Sequence, residues 1–191
     1  DMYFNFISGM SLLNKTKVIS VVNQKGGVGK TTTVMNMGAI FAALGNNVLL
    51  IDMDPQSNTT SGIGLSINEE KSIYDLLVSK ESPENIIKET KIPGMSIIPA
   101  IVDLAGAEVE LVDLEDREFI LKKTLEKIKD KYNYILIDCP PSLGLLTINA
   151  LCASDSILIP LQCEFFALEG LTHLLGTLER VQENLNKNSK L

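Results

Sequence analysis

Lys25-Gly26-Gly27-Val28-Gly29-Lys30-Thr31-Thr32 follows an apolar run, Val18–Asn23 (VISVVN), and leads into a segment of helical periodicity. Glycines at such a junction let backbone N–H groups turn inward around an anion, and the helix start that follows adds its dipole. Lys30 and Thr31 stand where a P-loop needs a lysine for the β- and γ-phosphates and a hydroxyl for magnesium. Thr32 is placed to donate to an α-phosphate, and Gly26, Gly27, Val28 and Gly29 supply the turning backbone. A ligand-free glycine turn would not require strand, loop, Gly-Lys-Thr and helix to coincide. The stretch therefore predicts a phosphate cradle for a nucleotide such as ATP with Mg2+. Lys25 is the unusual member, a second lysine ahead of the glycines.

Outward from the loop, Val48–Asp52 (VLLID), Met95–Ala100 (MSIIPA), Tyr134–Cys139 (YILIDC) and Ser156–Leu161 (SILIPL) repeat the first run's character. They are continuously apolar where a half-exposed strand would alternate, which predicts a mostly parallel, twisted sheet covered by helices on both faces. Thr31–Leu44 is expected to be a helix with Val34, Met37, Phe41 and Leu44 on its buried face, ending at Gly45. Asp116–Tyr132 reads as a second helix, with Glu118 and Lys122 spaced for an ion pair, and Leu168–Leu185 as a third. The alternation places the chain in the α/β class.

Two of these runs end in acids. The second finishes Asp52-Met53-Asp54-Pro55-Gln56 and the fourth Asp138-Cys139-Pro140-Pro141, putting carboxylates at the carboxyl edge of the sheet, where α/β folds bind ligands. Period two along a strand aims Asp52 and Asp54 to one side. Such a pair suits holding metal-bound water and orienting an attacking water, although Asp54 before Pro55 also fits a turn cap. Asp138 has Walker B geometry, facing magnesium-bound water or Thr31. The expected metal set is Thr31, Asp52 and Asp138, and the expected catalytic set is Lys25, Lys30 and Asp54.

Composition excludes several classes. The chain has 191 residues, 45% of them hydrophobic, enough for one sizeable core and too many for disorder. Its formal charge of −7 argues against indiscriminate nucleic-acid binding. Basic residues outnumber acidic ones only in residues 1–66, four against three; the balance is ten against fifteen in 67–131 and three against six in 132–191. The acidic run Asp103–Glu118 reads as a solvated face or a partner surface. Cys139, Cys152 and Cys163 form no C-x-x-C pair, which suits packed thiols in a reduced, cytoplasmic protein, and His173 reads as a packing or surface residue. No apolar run approaches the roughly 20 residues of a membrane helix. Residues 1–16 read as a flexible arm or an expression remnant ahead of a single ATPase domain over residues 17–191.

The pattern K-G-G-x-G-K-[ST] resembles the deviant Walker A motif of the MinD/ParA superfamily. Beyond the loop, Asp52–Gly64 (DMDPQSNTTSGIG), Leu104–Val112 (LAGAEVELV), Tyr134–Leu151 (YILIDCPPSLGLLTINAL) and Pro160–Leu171 (PLQCEFFALEGL) resemble ParA/Soj partition ATPases specifically. The resemblance implies an ATPase that dimerises on MgATP, with Lys25 reaching the partner's phosphates and Asp54 positioning the nucleophilic water. It further implies non-specific DNA binding by the dimer, stimulation by a ParB-type partner, and a role in chromosome or plasmid segregation without a membrane anchor. Family members continue for several more strands and helices, so the chain is expected to be an incomplete copy lacking the DNA-contacting residues. The alternative is a MinD-like division-site ATPase. An iron-protein type of reductase and a non-catalytic nucleotide scaffold are further readings, opposed by the cysteine spacing and by Asp54 respectively.

Overall fold

The computed structural model describes residues 15–65, 71–162 and 165–186. The expected arm up to Asn14 and Cys163 lie outside them. Six strands form one sheet: β1 (Lys17–Val21), β2 (Val48–Asp52), β3 (Lys88–Glu89), β4 (Met95–Ile98), β5 (Tyr134–Asp138) and β6 (Ser156–Leu158). Their order is β3-β4-β2-β5-β1-β6. All neighbours are parallel except β3, which runs antiparallel to β4 at one edge.

The continuous apolar runs are explained by burial from both sides. Leu49, Ile51, Ile135 and Ile137 pack into one core, while Val48, Leu50 and Leu136 pack into the other. The second face is covered by α1 (Lys30–Ala43), followed after β2 by the short α2 (Asn58–Gly62). The first face carries α3 (Ile73–Leu77), α4 (Leu104–Glu110), α5 (Ile120–Leu125), α6 (Leu145–Ala153) and α7 (Phe165–Asn184).

Three expectations are corrected. Leu44 is 53% exposed, because the row of α1 that meets the sheet is Lys30, Val34, Gly38 and Ala42. Gly38 sets that choice. A Cβ there would lie 2.7 Å from Leu50 Cδ2 and 3.1 Å from Met95 Sδ, so the smallest residue brings the helix closest to β2 and β4. The single helix expected over 116–132 is a series of short turns: a 3-10 turn at Arg117–Phe119, α5, and another 3-10 turn at Lys129–Lys131. Asp116, at φ 56°, enters this series in the left-handed region, and its carboxylate pairs with Lys123 at 2.6 Å while Glu118 pairs with Arg117. The expected spacing of Glu118 and Lys122 is therefore not what stabilises the segment.

Strand ends also fall short of the apolar runs. β4, β5 and β6 stop at Ile98, Asp138 and Leu158, each one or two residues before Pro99, Pro140 or Pro160. Proline cannot donate to a ladder, so the sheet opens at its carboxyl edge.

Candidate active site

The loop between β1 and α1 curls over that edge. Gly27 (φ 73°) and Gly29 (φ 94°) adopt the left-handed region, and Gly29 is the residue from which α1 starts. Side chains other than hydrogen strain that conformation, so these two glycines fix the loop's shape. Lys30 is 7% exposed, and its ammonium donates to the carbonyl oxygen of Lys25 at 3.2 Å. Burial lowers the Lys30 pKa, opposed by the nearby carboxylates of Asp138 and Asp54.

Beneath the loop, Asp138 ends β5. Its Oδ2 accepts from Thr31 Oγ1 at 2.7 Å and from Thr59 Oγ1 at 2.6 Å. Its Oδ1 is buried and has no hydrogen-bond partner. Burial raises the Asp138 pKa, and the bonds from Thr59 and Thr31 oppose the shift. Buried carboxylate oxygens require a donor or a cation, so Oδ1 fits a place beside a magnesium shell. Among the described residues no cluster of three or more His, Cys, Asp or Glu forms a cage for a metal. That suits magnesium, which is commonly held by one or two carboxylates together with substrate phosphates and water.

Asp54 is 8% exposed and borders the mouth of the loop. It shares the walls of a cleft of about 410 Å³ with Gly26, Gly27, Gly29, Lys30, Thr31 and Thr32. Its Oδ1 accepts from Gln56 N at 2.9 Å, so the turn-capping role expected as an alternative coexists with a position in the cleft.

Asp52, expected in the metal set, has both carboxylate oxygens occupied by protein donors. It is fully buried, with Oδ2 accepting from Thr60 N at 2.9 Å and Thr60 Oγ1 at 2.7 Å, and Oδ1 accepting from Asp54 N at 3.2 Å. Thr60 Oγ1 in turn accepts from Ala100 N at 3.0 Å. β2 ends at Asp52, so strand alternation does not extend to Asp54. Burial pushes the Asp52 pKa up to about 7 against the Thr60 bonds. This carboxylate braces the chain that carries Asp54, and unlike Asp138 it has both oxygens accepting from protein donors.

Comparison with known proteins places this geometry. A family model described as an AAA domain matches residues 16–191. The sporulation initiation inhibitor protein Soj of Bacillus subtilis is 56% identical over 171 residues, covering 89% of this chain and 68% of that protein. The chromosome-partitioning ATPase Soj of Treponema pallidum is 54% identical, over 89% of this chain and 66% of its own length. The chain belongs to the Soj/ParA family of partition ATPases. The MinD-like alternative is thereby set aside. The solved structure of cobyrinic acid a,c-diamide synthase from Mycobacterium smegmatis, with a bound ATP analog and magnesium, superposes with TM-score 0.88 at 41% identity. It covers 91% of this chain and 71% of that one. The chain thus spans about two thirds of the length of its Soj relatives.

Several residues of this Soj/ParA site escape a reading of the sequence. Thr59 and Thr60 are absent from the expected set, although a hydroxyl run, Ser57-Asn58-Thr59-Thr60-Ser61, directly after two strand-end acids signals the need for donors. Gln162 follows β6, and its side chain meets the loop twice. Oε1 accepts from Lys25 Nζ at 3.4 Å and Nε2 donates to the Gly27 carbonyl at 3.3 Å. Gln56, Asn58 and Pro141 complete the cleft wall. Cys139, directly after β5, and Cys152 on α6 are buried free thiols whose pKa burial raises, in keeping with packed residues, and His173 is exposed on α7. No helix among the described residues is long and apolar enough to cross a membrane.

Proposed function

We propose that the protein hydrolyses MgATP by in-line attack of water and couples that cycle to dimerisation in chromosome or plasmid segregation. The observation that carries the reading is the buried, unpartnered Asp138 Oδ1 beneath a glycine loop whose Thr31 hydroxyl is bonded to the same carboxylate. Phosphoryl transfer needs positioning and charge stabilisation more than covalent chemistry from the protein. Backbone N–H groups of Gly26–Thr32 bind the phosphates, and Lys30 offsets charge on the β- and γ-oxygens. Thr31 and Asp138 hold the magnesium ion, which when bound neutralises phosphate charge. Asp54, at the cleft wall, orients the attacking water and accepts its proton.

Lys25 sits exposed at the rim, where a second copy's phosphates would be within its reach in a nucleotide-sandwich dimer. Family membership supports a homodimer formed with ATP, a ParB-type activator, and non-specific DNA binding that holds the ATP-bound form on the nucleoid within the cytoplasm. The acidic segment 103–118 would repel DNA phosphates, so DNA contact belongs to other surfaces of the dimer. Sedimentation of the Asp54→Ala protein with MgATP and with MgADP tests the cycle. A dimer in ATP alone is expected; equal phosphate release by wild type and Asp54→Ala would remove the role given to Asp54.

A further inference from the structure

Neighbouring threonines on α2 each bind one of two carboxylates that stand side by side at the ends of β2 and β5. Thr59 Oγ1 donates to Asp138 Oδ2 at 2.6 Å, whereas Thr60 gives both its hydroxyl and its N–H to Asp52 Oδ2. Both threonines are fully buried. Thr60 serves a carboxylate whose other oxygen already accepts from Asp54 N, and the Thr60 hydroxyl also receives Ala100 N.

Thr59 differs because its acceptor belongs to the metal site. With Thr31 and Thr59 both on Oδ2, the rotation of the carboxylate is fixed and Oδ1 is the oxygen left without a donor. The same bond anchors the start of α2 to β5. The segment leading into α2 carries Asp54 and Gln56 along the cleft wall, and Asn58, the first residue of α2, continues it. A shift of that segment therefore alters the Asp138 carboxylate, and a shift of the carboxylate alters the segment.

We propose that Thr59 is a positioning residue of the magnesium site, selecting which Asp138 oxygen is offered to the cation and tying the Asp54 segment to that choice. The inference rests on the MgATP reading given above. Partners of this kind, one shell outside the metal, typically contribute about 10- to 100-fold to metal affinity.

The test measures ADP affinity by calorimetry, with magnesium and with EDTA, and the magnesium concentration giving half of the enhancement. The full chain is compared as wild type, Thr59→Val, Thr59→Ser and Thr60→Val. Thr59→Val should bind ADP in EDTA as wild type does but lose at least about tenfold of the magnesium enhancement. Thr59→Ser should restore it to within a few-fold. Thr60→Val should melt at a lower temperature yet keep the enhancement. Full enhancement in Thr59→Val, or equal loss in Thr59→Val and Thr60→Val, overturns the proposal. If Thr59→Val does not fold, Thr59→Ala takes its place, and failure of both to fold assigns Thr59 to the core and also overturns it. Absence of magnesium enhancement in the wild type would instead overturn the MgATP reading itself.

Discussion

Asp52 and Asp138 are register partners at the carboxyl ends of adjacent parallel strands, yet only Asp138 keeps an oxygen without a hydrogen-bond donor. Two acids in equivalent places on the sheet thus have different chemistry: threonines occupy only Oδ2 in each, and the Asp54 N–H fills Oδ1 of Asp52 alone. Asp138→Asn should leave ADP binding in EDTA close to wild type and reduce the magnesium enhancement by about 10- to 100-fold. Calorimetric titration with and without the cation checks this. Unchanged enhancement would remove Asp138 from the metal site.

Asp52 gives the protein a pH dependence of definite sign. Its pKa is raised from 3.8 to about 7, so between roughly pH 4 and 7 the native state keeps a proton that the unfolded chain has released. The stabilising contribution is complete below the unfolded pKa and is lost as pH rises toward 7. Melting temperature of the nucleotide-free protein should therefore fall across that window and level off above it. Asp52→Asn should flatten the profile, at the cost of about 1 to 3 kcal/mol from an amide facing the Asp54 N–H. Thermal unfolding in a pH series reads both effects, and an equal slope in both proteins would refute the assignment.

Asp54→Ala separates binding from turnover. The side chain borders the phosphate cleft but lies outside the glycine loop, so its loss should lower phosphate release by at least about 100-fold while MgATP affinity stays within a few-fold. Lys30→Ala has the opposite signature, abolishing nucleotide binding because the loop loses its buried cation. A binding assay beside a phosphate-release assay distinguishes the two. Parallel loss in both variants would mean that Asp54 only shapes the loop, through its bond to Gln56 N.

The main lines of this site were legible because they depend on local chemistry. Gly27 and Gly29 are required by backbone conformation, and β2 and β5 are continuously apolar because helices cover both of their faces. Asp52 was grouped with Asp54 by strand period, but β2 ends at Asp52, whose oxygens accept from Thr60 and from Asp54 N. Thr59 and Gln162 were missed for a different reason. Their partners are distant in the chain, at Asp138 and at Lys25 and Gly27, and no local pattern encodes such pairings. The short turns over 117–131 and the two-residue β3 likewise lack the length from which periodicity is read. Leu44 looked like a core residue by spacing, but the close approach at Gly38 rotates α1 onto a neighbouring row.

That close approach makes Gly38→Ala a sensitive probe of the fold. Alanine favours an isolated helix by up to about 1 kcal/mol over glycine. Here its Cβ would meet Leu50 Cδ2 at 2.7 Å, and Leu50 is fully buried in the core between α1 and the sheet. Overpacking of this kind costs about 1 to 3 kcal/mol, so a net loss of stability is expected. Urea unfolding with an unchanged m-value and a lower midpoint would be the signature. A rise in the midpoint would show that Leu50 and Met95 yield more readily than their burial implies.

Lys25 connects the loop to the segment after β6, since its ammonium reaches Gln162 Oε1 while Gln162 Nε2 donates to the Gly27 carbonyl. A lysine serving a second copy's phosphates has to leave such a position, and the exposed, long bonds on the glutamine make that exchange inexpensive. Lys25→Ala should retain MgADP affinity within a few-fold, because the buried Lys30 remains, and should fail to dimerise with MgATP. Gln162→Ala should preserve dimerisation, since it removes the partner in the resting loop and leaves the ammonium intact. Sedimentation of each variant in the Asp54→Ala background, where hydrolysis is blocked, measures dimerisation without turnover. Dimers in Lys25→Ala would mean that the second lysine acts within its own chain.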